Sequence, residues 1–134
     1  MPRNELSVNS KYYLPKEDYL TALHFCLRYP TWEAVLSTEP DTSKAIAYDG
    51  LKVQTSGGGD PAAEIAMERA EYGRKKQLVD DTIHEAAPEI EKYLKLGVCY
   101  GMTEWQLESM GMPCGHNVYY NLRRKFYWML ARRI

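Results

Sequence analysis

Residues 103–130, which read TEWQLESMGMPCGHNVYYNLRRKFYWML, indicate the fold most clearly. Thr103 is a favourable N-cap for the short helix EWQLESM, and Gly111 suits the left-handed position that ends such a helix. After the turn MPCGHN at 112–117, an amphipathic pattern continues to the C-terminus. A capped short helix, a glycine-containing turn and an amphipathic helix, in this order, predict a helix-turn-helix at about 103–132.

The last helix is predicted to have one apolar side and one polar side. At about 100° per residue, the apolar side collects Val118, Tyr119, Leu122, Phe126 and Met129. A small core shared with the short helix is expected to contain Leu107, Met110, Val118 and Leu122. The opposite side carries His116, Asn117, Tyr120 and Arg124, with Asn121 and Arg123 at its edges.

The polar side has the chemistry needed to bind duplex DNA. Arginine can bridge guanine O6 and N7, asparagine can bridge adenine N6 and N7, and the major groove admits a helix. Arg123, Lys125 and Arg132 are better placed for phosphates, which fix register rather than sequence. The candidate DNA contacts are therefore His116, Asn117, Tyr120, Asn121, Arg123, Arg124, Lys125 and Arg132. A helical hairpin with a solvated basic face is the alternative interpretation.

Two large aromatic residues, Tyr127 and Trp128, fall on or near the outward side of this helix. Exposed aromatic side chains of that size usually contact something. The N-terminal segment and a second subunit are both open as the partner.

The stretch 103–130 resembles the C-terminal helix-turn-helix of phage and prophage transcriptional regulators of the RinA/ArpU type, which is itself similar to region four of sigma factors. The matching features are Thr103, Leu107, the turn 111–113 and the run VYYNLRRKF at 118–126. The helices predicted before the motif also resemble those of the family. The resemblance implies a small cytoplasmic DNA-binding protein whose second motif helix faces DNA.

The distribution of charge points to a polyanionic partner. Residues 1–59 hold seven acidic and six basic side chains, and residues 60–110 hold eleven acidic and six basic ones. Residues 111–134 hold five basic side chains and no acidic one. A basic end on an otherwise acidic chain suggests binding to a polyanion, and a solvated helix face would have the same composition.

Upstream of the motif, the sequence predicts an all-α protein in two parts. Three consecutive glycines within QTSGGGDP are costly to order, and they mark a glycine-rich linker at 54–60. The linker separates a mainly helical N-terminal segment, 1–53, from a helical DNA-binding domain, 61–134. Between the helices of the first segment and the linker, a short helix or a weak strand are both open.

Prolines and caps predict the helix ends in the N-terminal segment. Pro15 opens a helix that stops before Pro30, and Thr31 is the expected N-cap of the short helix WEAVLST. His24 lies among apolar residues of the first helix, so it is interpreted as a core histidine. Cys26, in the same helix, is interpreted as a small buried residue.

Two further helices are predicted before the motif. Asp60 and Pro61 open a long connecting helix that ends before Pro88. A second helix begins at Pro88 and has Gly97 or Gly101 near its end. The buried face of the long helix is expected to contain Ile65, Tyr72, Val79, Ile83 and Ala86.

The sequence carries no signature of a membrane, disulfide-rich or metal-binding protein. It has neither a run of about 18 apolar residues nor an N-terminal apolar segment, which predicts no membrane span and no secretory signal. Three widely spaced cysteines, Cys26, Cys99 and Cys114, favour a reducing cytoplasm over a disulfide framework. One Cys114–His116 pair falls short of the four ligands of a structural zinc site, so no metal is expected.

Nothing in the pattern indicates catalysis. No general base and orienting group accompany Cys114, and His84 belongs to a charged helix face. The acidic residues of the long helix alternate with basic ones, which is typical of solvated pairing. The sequence therefore predicts a protein that is not an enzyme and has no cofactor.

Two functions remain as hypotheses. The first is a DNA-binding transcriptional regulator of phage or prophage type, whose last helix enters the major groove. Because one such module makes a small interface, a homodimer or a second surface for RNA polymerase would complete it. The alternative is a non-enzymatic protein-interaction module whose basic C-terminal helix docks on an acidic protein partner.

Overall fold

A computed structural model describes residues 11–38 and 61–134. All regular structure within these two ranges is helical, and no strand occurs in them, so the all-α prediction is confirmed. The predicted linker at 54–60, the helix-or-strand question before it and the expected cap at Asp60 lie outside the described residues.

The α-helices are α1 (Lys16–Leu27), α2 (Tyr29–Ser37), α3 (Pro61–Ala86), α4 (Glu91–Tyr100), α5 (Glu104–Ser109) and α6 (His116–Ala131). A 3-10 turn at Pro88–Ile90 connects α3 to α4. The helix α1 packs on α2, α4 and α6, while α3 packs on α2, α4 and α6 from its own side. The short α5 rests on α4.

One apolar core joins the N-terminal helices to the C-terminal ones. Tyr29 and Trp32 of α2, Ile83 of α3, Leu94 of α4 and Phe126 of α6 are all buried in it. Residues 16–37 and 61–134 therefore fold against each other, because each range covers apolar surface of the other.

The junction between α1 and α2 differs from its prediction in two ways. The first helix does end before Pro30, at Leu27, but α2 begins at Tyr29 with Pro30 in its first turn. Thr31 is therefore inside α2 and its N–H bonds to the Arg28 carbonyl, so the prediction that it caps the helix is wrong. Pro30 needs no N–H partner there, which lets the second helix start at once. His24 is exposed, and its interpretation as a core histidine is also wrong.

The long helix α3 buries its C-terminal half. Val79, Ile83 and Ala86 are buried as predicted, whereas Ile65 and Tyr72 of the same face are only partly covered. The N-terminal half holds α2 through a polar contact instead: the Arg69 guanidinium donates to the carbonyls of Val35 (2.7 Å) and Leu36 (3.2 Å). These carbonyls lie at the C-terminal end of α2, where a cation satisfies unpaired acceptors. Their capping attaches α2 to α3.

A half-buried polar cluster joins α2, α3 and α4. The Tyr29 hydroxyl donates to Asp80 at 2.8 Å, and Lys95 Nζ lies 2.8 Å from the same carboxyl. Lys76 Nζ lies 3.3 Å from its other oxygen. Burial alone would raise the pKa of Asp80, but the hydrogen bonds from Lys95 and Tyr29 and the two lysine charges outweigh it and lower that pKa. The carboxylate is thus ionised and partnered.

Two glycines of α4 have separate roles. Gly101 adopts φ +70° directly after the helix and ends it, as predicted for one of the two candidates. Gly97 is inside the helix and buried, and a Cβ there would collide with the hydroxyl of Tyr119 and touch Leu107. The absence of a side chain at Gly97 therefore lets α4, α5 and α6 meet closely.

Candidate nucleic-acid interface

The predicted order of short helix, glycine turn and amphipathic helix over residues 103–131 is confirmed, although the last helix begins at His116, inside the predicted turn at 112–117. The Thr103 hydroxyl accepts from the N–H of Gln106 at 3.2 Å, and the Gln106 side chain accepts from the N–H of Thr103 at 2.8 Å, which completes a capping box. Gly111 follows α5 with φ +98°, a conformation that favours glycine. The helix α6 begins at His116 and gives 16 residues of amphipathic helix.

The core of this segment differs from its prediction. Leu107 is fully buried against Gly97, whereas Met110 is 45% exposed and Val118 is 51% exposed, so their placement in a shared core is wrong. Leu122 is partly buried. The short helix therefore attaches to α4 through Leu107 rather than to the first turn of α6 through Val118.

The buried side of α6 consists of aromatic residues. Tyr119, Phe126, Tyr127 and Leu130 are buried, and they centre about a quarter of a turn from the predicted apolar side. The aromatic side faces the core because an aromatic ring removes more apolar surface from water than the side chain of Val118 or Met129 does. On this side Tyr19 of α1 packs edge-on against Tyr127 at 5.3 Å between ring centroids.

The rotation of α6 buries one candidate DNA contact, Tyr120, and brings a second, Arg123, into contact with tyrosines. Tyr120 is buried, with its ring 4.7 Å from that of His116. Arg123 donates to the Tyr119 hydroxyl at 3.4 Å, and its guanidinium lies 5.6 Å from the Tyr127 ring centroid and 5.9 Å from that of Tyr120. The predicted outward orientation of Tyr120 is wrong. Arg123 is partly exposed, as expected for an edge position, but the surrounding tyrosines hold its cation.

A row of polar side chains remains on the outer side of α6. This row, called the outward stripe here, consists of Asn117, Asn121, Arg124, Trp128 and Arg132, which follow one another at helical spacing. Asn117, Asn121 and Arg132 are exposed, and Arg124 and Trp128 are partly exposed. Arg124 donates to the Asn121 side-chain oxygen at 2.9 Å, so an amide and a guanidinium form one preorganised pair. Lys125, partly exposed, lies beside the stripe.

His116 is exposed, as predicted, but it is held by the preceding helix. Its Nδ1 lies 2.6 Å from one carboxylate oxygen of Glu104 and 2.9 Å from the other. Glu104 belongs to the first turn of α5, so this contact fixes the start of α6 relative to α5. Sequence analysis did not single out Glu104, although its place directly after the cap residue Thr103 is the usual place for an acidic side chain.

Tyr127 and Trp128, for which the sequence left two partners open, both contact the N-terminal segment. Tyr127 meets Tyr19, as described above, and it is buried rather than outward-facing. Trp128 meets the ring of Tyr12 edge-on at 5.5 Å between centroids, and the Arg132 guanidinium lies 4.6 Å from the Trp128 ring centroid. Asn117, Asn121 and Arg124 follow one another at helical spacing, and Trp128 continues this spacing. The same pattern would have placed Trp128 in the stripe from the sequence alone.

Of the five basic residues after residue 110, three lie at the outward stripe. Arg123 is held by tyrosines, and Arg133 is bound to Glu85 and, at 3.0 Å, to the Thr82 hydroxyl. Arg124, Lys125 and Arg132 remain, and no ion pair holds them among the described residues. The exposed side of α6 therefore has a local positive charge that the whole-chain charge of −1 conceals.

The cysteines have no reactive environment in this structure. Cys26 and Cys99 are buried and their thiols are hydrogen-bonded neighbours; this hydrogen bond and burial raise the pKa of Cys26. Burial and the charge of Glu104 raise the pKa of Cys114. A thiol with a raised pKa is a poor nucleophile at neutral pH.

Within residues 11–38 and 61–134, no three His, Cys, Asp or Glu side chains are grouped so that they could bind a metal ion. None of the helices in the same ranges combines the length and apolarity needed to cross a membrane.

Comparison of the chain with protein-family models, with curated proteins and with solved structures finds no match.

Proposed function

We propose that this chain binds double-stranded DNA, with Asn117, Asn121 and Arg124 of the outward stripe in the major groove. The observation that carries the proposal is the preorganised pair of Asn121 and Arg124 on the exposed side of a helix that follows a capped helix and a glycine turn. Asparagine and arginine are the side chains that best distinguish adenine and guanine in that groove. Tyr120 and Arg123 take no part in the proposed contact, since Tyr120 is buried and the Arg123 guanidinium is held by Tyr119, Tyr120 and Tyr127.

The electrostatic surroundings support the same assignment. Lys125 and Arg132 lie beside or within the stripe and can neutralise phosphates, and Glu104, the nearby acid, is bound to His116. Three basic side chains of α6 make a modest electrostatic contact. We therefore expect a log–log salt slope of about −3, well below that of a large multi-helix DNA-binding protein.

As a finer assignment, we propose a transcriptional regulator of phage or prophage type, on the resemblance of residues 103–130. A small interface of this kind gains useful affinity from a second binding surface, for which a homodimer and RNA polymerase are the candidates.

A selection from random duplexes, followed by fluorescence anisotropy at several salt concentrations, tests the proposal. We expect Arg124→Ala and Asn121→Ala to weaken binding to the selected duplex about tenfold, with a much smaller effect on random duplex. Gln77→Ala, which removes an exposed amide from α3, is the matched control and should bind as the unaltered chain does. Equal losses on selected and random duplex would show that α6 reads no bases.

One observation favours the alternative, a protein-interaction module. Trp105 of α5 is 74% exposed, and Met110 and Val118 nearby in the sequence are about half-exposed, although apolar side chains of this size are usually buried. If the chain shows no binding to any duplex at low salt, and Trp105→Ala abolishes capture of an acidic protein, this module is the better description.

A further inference from the structure

Four side chains from opposite ends of the chain form a cluster beside the outward stripe. The Trp128 ring contacts the Arg132 guanidinium on one side and the edge of the Tyr12 ring on another. Lys11 Nζ lies 5.4 Å from the Tyr12 ring centroid. We call Lys11, Tyr12, Trp128 and Arg132 the cation–aromatic cluster.

The two cations of this cluster are held without being neutralised. Lys11 and Arg132 are exposed, and neither forms an ion pair with a carboxylate among the described residues. This differs from Arg133, next in sequence, whose charge is paired with Glu85. Aromatic rings orient a cation through their faces and leave its full charge available to an outside anion.

The position of the cluster along α6 decides which part of a DNA duplex it would meet. Trp128 follows Asn117 by eleven residues, which corresponds to about 16 Å along the helix axis. The major groove is about 12 Å wide. In helix-turn-helix proteins the N-terminal residues of the recognition helix contact base edges. If α6 crosses the groove with Asn117 and Asn121 at base edges, Trp128 and Arg132 lie past this width, over the sugar–phosphate backbone at the rim of the groove.

We propose that the cation–aromatic cluster is a phosphate-binding site that grips the DNA backbone at the rim of the groove read by α6. This inference rests on the proposed DNA binding and adds Lys11 of the N-terminal segment, Tyr12 and Trp128 to the interface. The phosphate is bound by Lys11 and Arg132, and the two rings act as positioning residues that hold these cations in place. Ordering the cations before binding reduces the conformational entropy lost on association.

Salt titrations distinguish the role of the two charged residues of the cluster from the role of its two aromatic residues. Lys11→Gln and Arg132→Gln each remove one phosphate contact, so each should reduce the log–log salt slope by about 0.9 and weaken binding roughly fivefold at low salt. Trp128→Ala removes no charge, and it should weaken binding about threefold with the slope unchanged. Arg132 is exposed at the end of α6, and Lys11 precedes α1, so neither glutamine variant alters the core.

Lys92→Gln is the matched control for Lys11→Gln. Lys92 also lies over a tyrosine, 5.7 Å from the Tyr93 ring centroid, but it belongs to α4 and not to the cluster. We expect this variant to keep the slope and affinity of the unaltered chain. Far-UV circular dichroism confirms folding of each variant, and the two glutamine variants decide the result if Trp128→Ala unfolds.

The outcomes distinguish this inference from the function on which it rests. Loss of affinity in Arg124→Ala together with unchanged slopes in Lys11→Gln and Arg132→Gln would overturn the cluster and leave DNA binding in place. An equal slope change in Lys92→Gln would also overturn it, because the effect would then come from total charge. No binding of the unaltered chain to any duplex would overturn both.

Discussion

The two sides of α6 both carry arginine and aromatic side chains, but the surroundings of these side chains differ between the sides. Arg123 and Arg124 are neighbours in sequence, yet the first is enclosed by tyrosines and the second lies on the outward stripe. Tyr127 is buried against α1, and Trp128, the next residue, is partly exposed. Residue type alone therefore does not decide which side of this helix faces outward.

The difference lies in the partners that each side finds. The inner side meets α1 and α3, which bring enough aromatic and apolar surface to bury three tyrosines and to hold one guanidinium. Among the described residues, the outer side meets the short stretch before α1, through Tyr12. A charged residue can belong to the interior when hydroxyls and ring faces surround it.

The largest expected effect comes from removing a ring on the inner side. Phe126 is fully buried, so Phe126→Ala should lower the free energy of unfolding by about 4 kcal/mol in urea denaturation. Val118→Ala on the half-exposed side should change it by less than about 0.5 kcal/mol. Similar losses in both variants would show that the two sides are not distinct.

The two arginines should separate stability from binding. Arg123→Ala deprives the buried Tyr119 hydroxyl of its donor and removes two ring contacts, and we expect a loss of about 2 kcal/mol of unfolding free energy. Arg124→Ala should leave stability almost unchanged and weaken DNA binding instead. If Arg123→Ala weakens binding in a variant that is still fully folded, the inner side would have to reach the DNA.

Alkaline titration should reveal the inner tyrosines. Burial raises the pKa of Tyr127 above its ordinary value near 10, and the nearby charge of Arg123 only partly opposes this. The unfolded chain therefore loses this proton first, and stability is full below pH 10 and falls as the pH rises further. One such group contributes about 1.4 kcal/mol per pH unit in that range.

The test of this pH dependence is Tyr127→Phe, which should reduce the fall in unfolding free energy between pH 10 and pH 11 by about 1 kcal/mol, because the unfolded tyrosine is only half ionised at pH 10. Val118→Ala, which removes no ionisable group, is the control and should keep the original pH profile. Identical profiles for all three proteins would contradict the burial of the Tyr127 hydroxyl.

The smallest expected effect comes from Gly97, whose lack of a side chain leaves space for Tyr119. Gly97→Ala gains helix propensity but drives a methyl group into Tyr119, and we expect a net loss of about 1 kcal/mol. Gly73→Ala in α3 meets no atom and should gain about 0.5–1 kcal/mol for the same change. A gain in both variants would mean that α4 and α6 separate easily.

The order of the helices and several of their ends were predictable because they depend on residues that are close in sequence. Thr103, Gly101 and Gly111 act within one or two turns of chain, and each behaves as its sequence neighbours indicate. Thr31 was predicted wrongly because a proline can occupy either the end of one helix or the first turn of the next.

The orientation of α6 was not predictable from its own pattern. Its tyrosines are amphipathic, and the burial of Tyr127 depends on α1, which is about a hundred residues earlier in the chain. The Tyr119 hydroxyl lies against Gly97 of α4 instead. Within the candidate site, the helix itself and the exposure of Asn117, Asn121 and Arg132 were predictable from the sequence. The burial of Tyr120, the tyrosine contacts of Arg123 and the contact of Trp128 with Tyr12 were not.

The packing of α1 on the aromatic side of α6 predicts how the protein behaves when its chain is cut. A protease cut anywhere between residues 38 and 61 would leave two fragments, each with an uncovered half of a common interior. Mixed together, such fragments should reassociate into a native-like heterodimer, and kept apart they should aggregate. The segments 11–38 and 61–134 would then be held together by their shared interior alone.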